Sequence, residues 1–144
     1  MPTALLVPLV CLSIHASDPW TEAQASFRKE VQPGYMACLV FAERLDATTL
    51  RLRVVAKDMR IGFLEGEPLG YPAHSFKVRA PHGSSDLRLV TVVPEGATSL
   101  RLRLQGDDVS PEVLVPLPKP GGVEPVILQF EAGSGSTGGV SKSR

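Results

Sequence analysis

The sequence lacks a net charge, a cysteine framework and an apolar run long enough to cross a membrane as a helix. Its 144 residues include 15 basic and 15 acidic side chains, whereas a nucleic-acid-binding domain usually carries a basic excess. Its two cysteines, Cys11 and Cys38, form neither a zinc motif nor the framework of a small disulfide-rich protein. The apolar stretch Thr3–Ala16 is too short for a membrane-spanning helix, which needs about 20 residues. Nucleic acid is therefore not an expected partner.

Residues suited to catalysis or to metal binding are sparse. The three histidines are His15, His74 and His82, and no pair of them has the close spacing of a zinc-binding helix motif. The segment His82–Asp86 contains histidine, serine and aspartate. A hydrolytic triad is assembled from distant parts of a chain, so this segment is predicted to be a polar turn. The pair Asp107–Asp108 supplies too few oxygens for a calcium site. We expect no catalytic residue, no cofactor and no metal, and hence no enzyme.

Two segments lying fifty positions apart share one pattern, as Leu50 and Leu100 illustrate. Ala37–Val54 and Leu87–Leu104 each contain an apolar run, a polar turn and then alternation of leucine or valine with arginine. Alternation with a period of two is typical of a strand that buries one face, so the pattern predicts a β-hairpin used twice. Prolines and glycines, 13 of each, separate the short apolar runs. The fold class predicted is all-β, a single antiparallel β-sandwich of about eight strands with one short N-terminal helix.

Turn residues set the predicted boundaries of the elements. The predicted strands are Tyr35–Glu43, Thr48–Ala56, Met59–Leu64, His74–Ala80, Leu87–Val93, Thr98–Gln105, Glu112–Leu117 and Pro125–Glu131. A helix is predicted to begin at Asp18, which can accept hydrogen bonds from free backbone amides, with Pro19 in its first turn. It ends before Pro33, and its apolar stripe is Trp20, Ala23, Phe27 and Val31. A strand over Ser26–Val31 is the alternative. The β-sandwich domain is predicted over 18–131, followed by a flexible Gly/Ser tail over 132–144.

Residues 1–17 allow two interpretations. Their apolar stretch has the length of a signal-peptide core and ends near the small residues Ala16 and Ser17. The positive segment expected ahead of such a core is missing, because no lysine or arginine precedes Arg28. The other interpretation is an uncleaved apolar arm, which must be buried on both sides. A Cys11–Cys38 disulfide requires that the arm remain attached and that the compartment be oxidising.

Two turns of the sequence resemble those of bacterial immunoglobulin-like modules. Pro33-Gly34 precedes an apolar strand, and Val93–Thr98, which reads Val-Pro-Glu-Gly-Ala-Thr, precedes an alternating strand. Telokin-like extracytoplasmic domains are one such group, and the resemblance covers roughly residues 31–117. It implies an immunoglobulin-like sandwich that serves in adhesion, assembly or stability rather than in catalysis. The resemblance transfers no functional residue to this chain.

Three sets of residues are candidates for partner binding. The first is an arginine set, in which strand alternation directs each side chain away from the leucines beside it: Arg51, Arg53, Arg101 and Arg103. Such a cationic surface would dock on an acidic protein face or on lipid headgroups; a solvated sheet face with neighbouring counter-ions is the alternative. The second lies in the predicted loop Glu65–Pro72, and consists of Leu69 and Tyr71. The third is the apolar arm: Leu5, Leu6, Val7 and Leu9.

The function expected is that of a non-catalytic structural or accessory subunit. Its partners would be other protein subunits in a larger assembly, with a membrane protein complex or a membrane surface as one setting. The alternative is a secreted or periplasmic module that binds a small ligand or a glycan. That module requires cleavage near Ala16 and a concave site formed by aromatic residues. The residues expected in such a site are Trp20, Tyr35, Tyr71 and Phe76.

Overall fold

The computed structural model describes residues 18–106, 109–131 and 140–143. Within them the chain forms one α-helix, α1 (Pro19–Glu30), and one turn of 3₁₀ helix (Pro72–His74). The strands of the described residues are β1 (Tyr35–Asp46), β2 (Thr49–Lys57), β3 (Ile61–Pro68), β4 (Phe76–Ser84), β5 (Asp86–Val92), β6 (Ser99–Gly106), β7 (Glu112–Pro116), β8 (Val123–Glu131) and β9 (Val140–Ser143).

The strands form two antiparallel sheets that enclose a common core. One sheet has five strands in the order β9-β8-β1-β2-β5, and the other has four in the order β4-β3-β6-β7. The inward rows of both sheets share one apolar cluster, in which Leu50 and Leu52 meet Leu100 and Leu102. All four of these leucines are fully buried. The predicted all-β class and its antiparallel sandwich architecture are confirmed.

The helix explains why β1 is apolar on both faces. Met36, Cys38 and other alternate residues of β1 point into the core between the sheets. The intervening residues, among them Leu39, instead contact the stripe of α1 that includes Ala23 and Phe27. Because α1 covers the outer face of β1, that strand has no polar row until Glu43. The predicted helix is confirmed, and the alternative strand over 26–31 is wrong. Asp18 lies at the N-cap as expected, but its carboxylate accepts from the Thr21 hydroxyl at 3.3 Å and not from a backbone amide.

The first repeat is a hairpin, but the second is not. β1 pairs with β2 across a short turn, in which the Asp46 carboxylate accepts a hydrogen bond from the Thr48 amide at 3.0 Å. In the second repeat, β5 belongs to the five-stranded sheet and β6 to the four-stranded sheet, so that half of the prediction is wrong. The segment 93–98, which links the two strands, crosses from one sheet to the other. Val93 and Ala97 of this segment are buried in the sandwich, so β5 and β6 cannot pair as a hairpin.

Two other elements differ from the sequence-based boundaries. β3 continues to Pro68, so the first four residues of the predicted loop Glu65–Pro72 are strand. Their carbonyls and amides pair with β6, in a register that places Glu65 opposite Arg103. Within the tail predicted to be flexible, Val140–Ser143 form β9, which pairs with β8. Residues 1–17, 132–139 and 144 lie outside the described residues, as does the predicted turn Asp107–Asp108.

Candidate functional site

The helix covers only part of the outer face of the five-stranded sheet. It packs over β1 and β8, where Phe41 and Ile127 lie beneath it. Val55 of the neighbouring strand β2 still packs against the helix cluster. Most of the remaining outer row of β2 and β5 has no described residue above it, and we call this part of the row the open face. The open face consists of Arg51, Arg53, Arg88, Val90 and Val92. Val90 and Val92 are 60% and 62% exposed, which is unusual for β-branched residues in a regular strand.

One arginine of the open face is held rigidly at the border with the helix. The Arg53 guanidinium lies 4.1 Å from the centroid of the Trp20 ring, and Trp20 packs edge-on against Phe41 at 5.3 Å. Arg53 also binds Asp86 through two parallel hydrogen bonds, Nε to Oδ1 at 3.1 Å and Nη2 to Oδ2 at 2.8 Å. This forked geometry fixes the position of the guanidinium. A groove of about 360 Å³ runs beside it and includes Asp18, Arg51 and Arg88 in its lining.

Arg88 is the least restrained arginine of the open face. It lies opposite Arg53 in the register of β2 and β5. Its one ion pair among the described residues is a 3.5 Å contact with Asp86, whose oxygens are already bound by Arg53, and its side chain is 66% exposed. Arg51 differs, because Glu43 accepts from both its Nε and its Nη2 at 3.1 and 2.9 Å. Arg88 therefore offers donors to a group from outside the fold.

The pKa of Asp86 is lowered, chiefly because the Arg53 side chain donates hydrogen bonds to its carboxylate. The pKa of an aspartate in an unfolded chain is about 3.9. When folding lowers this pKa, the carboxylate stabilises the fold at pH values above about 3.9, and this stabilisation is lost as the pH falls through the folded-state pKa. We expect Asp86→Asn to lose less stability than the wild-type protein between about pH 6 and about pH 3. Urea unfolding at both pH values measures this loss.

The matched control for this change is Glu112→Gln, which removes a surface carboxylate 3.5 Å from Arg103. It should retain the wild-type pH dependence. Asp46, whose pKa is lowered mainly by the backbone amide of Thr48, contributes equally to both variants. An Asp86→Asn protein with the same acid-induced loss as the wild type would contradict the assignment.

Among the described residues, no strand pairs with the outer edge of the β5 backbone. Thr48 accepts from the Val93 amide at 2.9 Å, and Ser85 accepts from the Ala56 amide at 2.8 Å. Because hydrogen-bonding direction alternates along an antiparallel strand, the odd-numbered residues of β5 bond to β2. The amides and carbonyls of Arg88, Val90 and Val92 then point away from the sheet. At Asp86 the Ser84 hydroxyl closes this edge, accepting from the amide at 3.1 Å and donating to the carbonyl at 2.9 Å.

The other sheet edges in the described part of the chain are protected. β4 contains Lys77, Arg79 and Pro81, and its backbone turns left-handed at His82 and Gly83. β7 has five residues and ends at Pro116, and β9 has four. Charged residues, prolines and short length are the usual means by which sheet edges avoid pairing. By contrast, β5 has seven residues and contains no proline, glycine or lysine, and its charged residues Asp86 and Arg88 leave the exposed Val90 and Val92 unprotected in its second half.

The arginines proposed as one cationic surface are divided between the two sides of the sandwich. Arg51 and Arg53 lie on the outer face of the five-stranded sheet, whereas Arg101 and Arg103 lie on the outer face of the four-stranded sheet. Arg103 has carboxylate neighbours there, with Glu112 at 3.5 Å and Glu65 at 3.8 Å. A single flat surface can contact only one of these pairs, so the two pairs do not form a common site.

The remaining candidates lie at separate places. Leu69 and Tyr71 are exposed beyond the end of β3, where the Leu69 amide donates to Ser99 at 3.0 Å. Leu5, Leu6, Val7 and Leu9 lie outside the described residues. The structure also separates the four aromatic residues of the predicted concave site. Tyr35 begins β1, Tyr71 lies at the opposite end of the sandwich, Trp20 belongs to α1 and packs against Phe41, and Phe76 packs on the inner core. That part of the prediction is wrong.

A buried arginine was not predicted from the sequence. Arg44 is 4% exposed, and its Nη1 and Nη2 atoms donate to five backbone carbonyls at 2.8 to 3.4 Å. These carbonyls belong to Ala47, Pro94, Glu95, Ala97 and Pro118. Within the described ranges no acidic side chain pairs with it, and its Nε has no hydrogen-bond partner. Arg44 therefore joins three loops at one end of the sandwich.

The described residues offer little for covalent chemistry. Burial raises the pKa of Cys38 to about 12, and its thiol donates to the Met59 sulfur at 3.7 Å inside the core. Asp86, the acidic member of the candidate triad, is bound by arginines rather than by a histidine. Across the parts of the chain with assigned positions, no cluster of three potential metal ligands occurs. The same parts contain no helix that is long and apolar enough to span a membrane.

Comparison with protein-family models, with curated proteins and with solved structures finds no match to this chain. The functional assignment accordingly rests on the geometry of the open face and of the β5 edge.

Proposed function

We propose that this chain is a non-catalytic, protein-binding module that serves as a structural or accessory subunit of a larger assembly. The observation that carries the proposal is the seven-residue edge strand β5, whose outward backbone groups from Arg88 to Val92 have no partner within the described part of the chain and whose outward valines are exposed. Unpaired edge strands are places where other chains add by hydrogen bonding. An exposed edge of this kind is retained at a risk of aggregation unless it has a partner.

The strand order supports an immunoglobulin-like identity for the module. If β1, β2 and β5 are designated A, B and E, and β3, β6 and β7 are designated C, F and G, the two sheets contain the orders A-B-E and C-F-G. These orders match the constant-type arrangement, from which the chain departs at strand D and by the addition of β8 and β9 beside strand A. The corresponding strand, β4, pairs with β3 instead of with β5, and this leaves the outer edge of β5 open.

Co-isolation from the source cells tests the proposed function. Three tagged proteins are compared: the wild type, a Val90→Lys and Val92→Lys double variant, and Leu114→Lys as the matched control. Leu114 is an exposed apolar residue on β7 of the other sheet. We expect the wild type and the control to retain one protein in stoichiometric amount, and the double variant to retain at least about tenfold less, as for the loss of a central interface contact.

Two outcomes would count against different parts of this account. If the wild type retains no protein at all, the proposed function is wrong. If all three proteins retain the same partner equally, the chain is a binding module but β5 is not its binding site. Circular dichroism and thermal unfolding of each variant establish that the comparison is between folded proteins.

A further inference from the structure

We infer that the β5 edge accepts an extended segment of a different protein, with an acidic residue opposite Arg88 and apolar residues opposite Val90 and Val92. This inference rests on the proposed function and adds the chemistry of the partner segment. The three positions share one face because strand side chains alternate, and the same three residues carry the free backbone groups. Backbone pairing would supply affinity, and the side-chain row would supply specificity.

The acidic position follows from the state of Arg88. Its side chain is 66% exposed, and its one ion pair with a described residue shares a carboxylate that Arg53 binds more closely, at 2.8 Å against 3.5 Å. A partner carboxylate directly opposite Arg88 would complete the pairing of this charge. Opposite charges facing each other across two strands stabilise the pair, and like charges destabilise it. An arginine or lysine at this position of the partner is therefore disfavoured.

The apolar positions follow from the exposure of the two valines. Val90 and Val92 are each more than half exposed, although they lie in a regular strand directly beside β2. Aromatic and β-branched residues placed opposite them would remove this surface from water. In antiparallel order, the partner segment reads from its N-terminus: apolar, any, apolar, any, acidic. Antiparallel order is preferred because both sheets already have it and because it is the slightly more stable pairing.

A second copy of this chain does not fit the edge well. Two β5 strands related by a twofold axis could pair antiparallel with Val90 opposite Val90, but Arg88 would then face Val92 of the other copy. If the two strands slide by one outward residue, Arg88 of one copy faces Val90 of the other. If they slide by one more, Arg88 faces Arg88, and the two like charges repel. Only one register places Arg88 opposite Asp86. That register needs the backbone amide and carbonyl of Asp86, which the Ser84 hydroxyl already binds. It also places Val92 of one copy opposite His82 of the other, where the backbone is left-handed.

The test uses the full-length protein and two synthetic peptides. The first is acetyl-Thr-Val-Thr-Ile-Thr-Glu-Thr-amide, and the second replaces its glutamate by lysine. Binding is followed by NMR titration of backbone amides up to millimolar peptide. We expect the glutamate peptide to shift the amides of Arg88, Val90 and Val92 first, and to bind about fivefold more tightly than the lysine peptide, given the size of cross-strand charge pairs.

A charge exchange makes the test specific. Arg88→Glu should reverse the order of the two peptides, whereas the matched control Arg101→Glu, on the outer face of the other sheet, should leave it unchanged. The difference should shrink at high salt because the charges are exposed. Equal binding of both peptides by the wild type would overturn the acidic position. If neither peptide binds, the inference is wrong. This includes the case in which the NMR lines broaden with protein concentration, because a second copy of the chain would then occupy β5.

Discussion

Replacing Arg44 by leucine is expected to lower the free energy of unfolding by about 3 kcal/mol, the upper end of the usual range for one substitution, because it breaks a buried hydrogen-bond network. The side chain is 4% exposed and donates to five carbonyls of three loops. Leucine removes the donor that these carbonyls share, although the Pro94 carbonyl still accepts from the Ala97 amide at 3.0 Å. Each buried carbonyl left unsatisfied costs about 1 to 3 kcal/mol if it finds no water. Urea unfolding measured by fluorescence of Trp20, the single tryptophan, gives the value.

Two other substitutions separate the parts of this effect. Arg44→Lys retains the charge but loses the planar fork, so it should restore only part of the stability. Arg51→Leu removes an exposed arginine that has one carboxylate partner, and should cost less than about 1 kcal/mol, as surface ion pairs generally do. If Arg44→Leu were as stable as Arg51→Leu, the role of Arg44 in joining the loops would be contradicted.

Replacing Gly106 by alanine is expected to destabilise the fold by about 3 kcal/mol, the upper range for steric overpacking. A Cβ atom at Gly106 would collide with the carbonyl oxygen of Arg60 and approach the Met59 Cε to 2.8 Å. The backbone cannot easily move aside, because Gly106 lies opposite Ile61 at the irregular start of β3 and its amide donates to Val109 at 3.1 Å. Thermal unfolding of the variant measures the effect.

The matched control is Gly62→Ala, on the adjacent strand of the same irregularity. A Cβ atom there would meet only the Gln105 carbonyl oxygen at 3.5 Å, an ordinary contact, and alanine costs less backbone entropy than glycine. We expect this variant to stay within about 1 kcal/mol of the wild type. A Gly106→Ala protein as stable as Gly62→Ala would show that β3 and β6 do not approach as closely as described.

Local sequence signals predicted the elements but not their arrangement between the sheets. Alternation of leucine with arginine identified β2 and β6, and the spacing from Trp20 to Val31 identified α1, because these patterns depend only on neighbouring residues. The assignment of β5 and β6 to different sheets depends on where the segment 93–98 is buried, which involves residues remote in sequence. The second hairpin was therefore mispredicted, although its two strands were found.

The candidate site was recognisable only in part for the same reason. Arg51 and Arg53 were selected from the pattern, and Arg88 was consistent with it, but Val90 and Val92 read as core valines. Their exposure follows from two non-local facts: β5 is an edge strand, and α1 stops short of it. Arg44 reads as a surface residue of a charged turn, and only the approach of three loops buries it. No feature of Val140–Ser143 within a Gly/Ser-rich segment indicated a strand.

Amide hydrogen exchange of the isolated full-length chain tests most directly whether the β5 edge is open for a partner. The account predicts alternation along this strand: the amides of Leu87, Leu89 and Thr91, which bond to β2, should exchange at least about tenfold more slowly than the outward amides, as bonded amides do in stable sheets. Arg88, Val90 and Val92 should exchange rapidly. Equal protection of all six amides would contradict the account, because it would show that the edge is already paired.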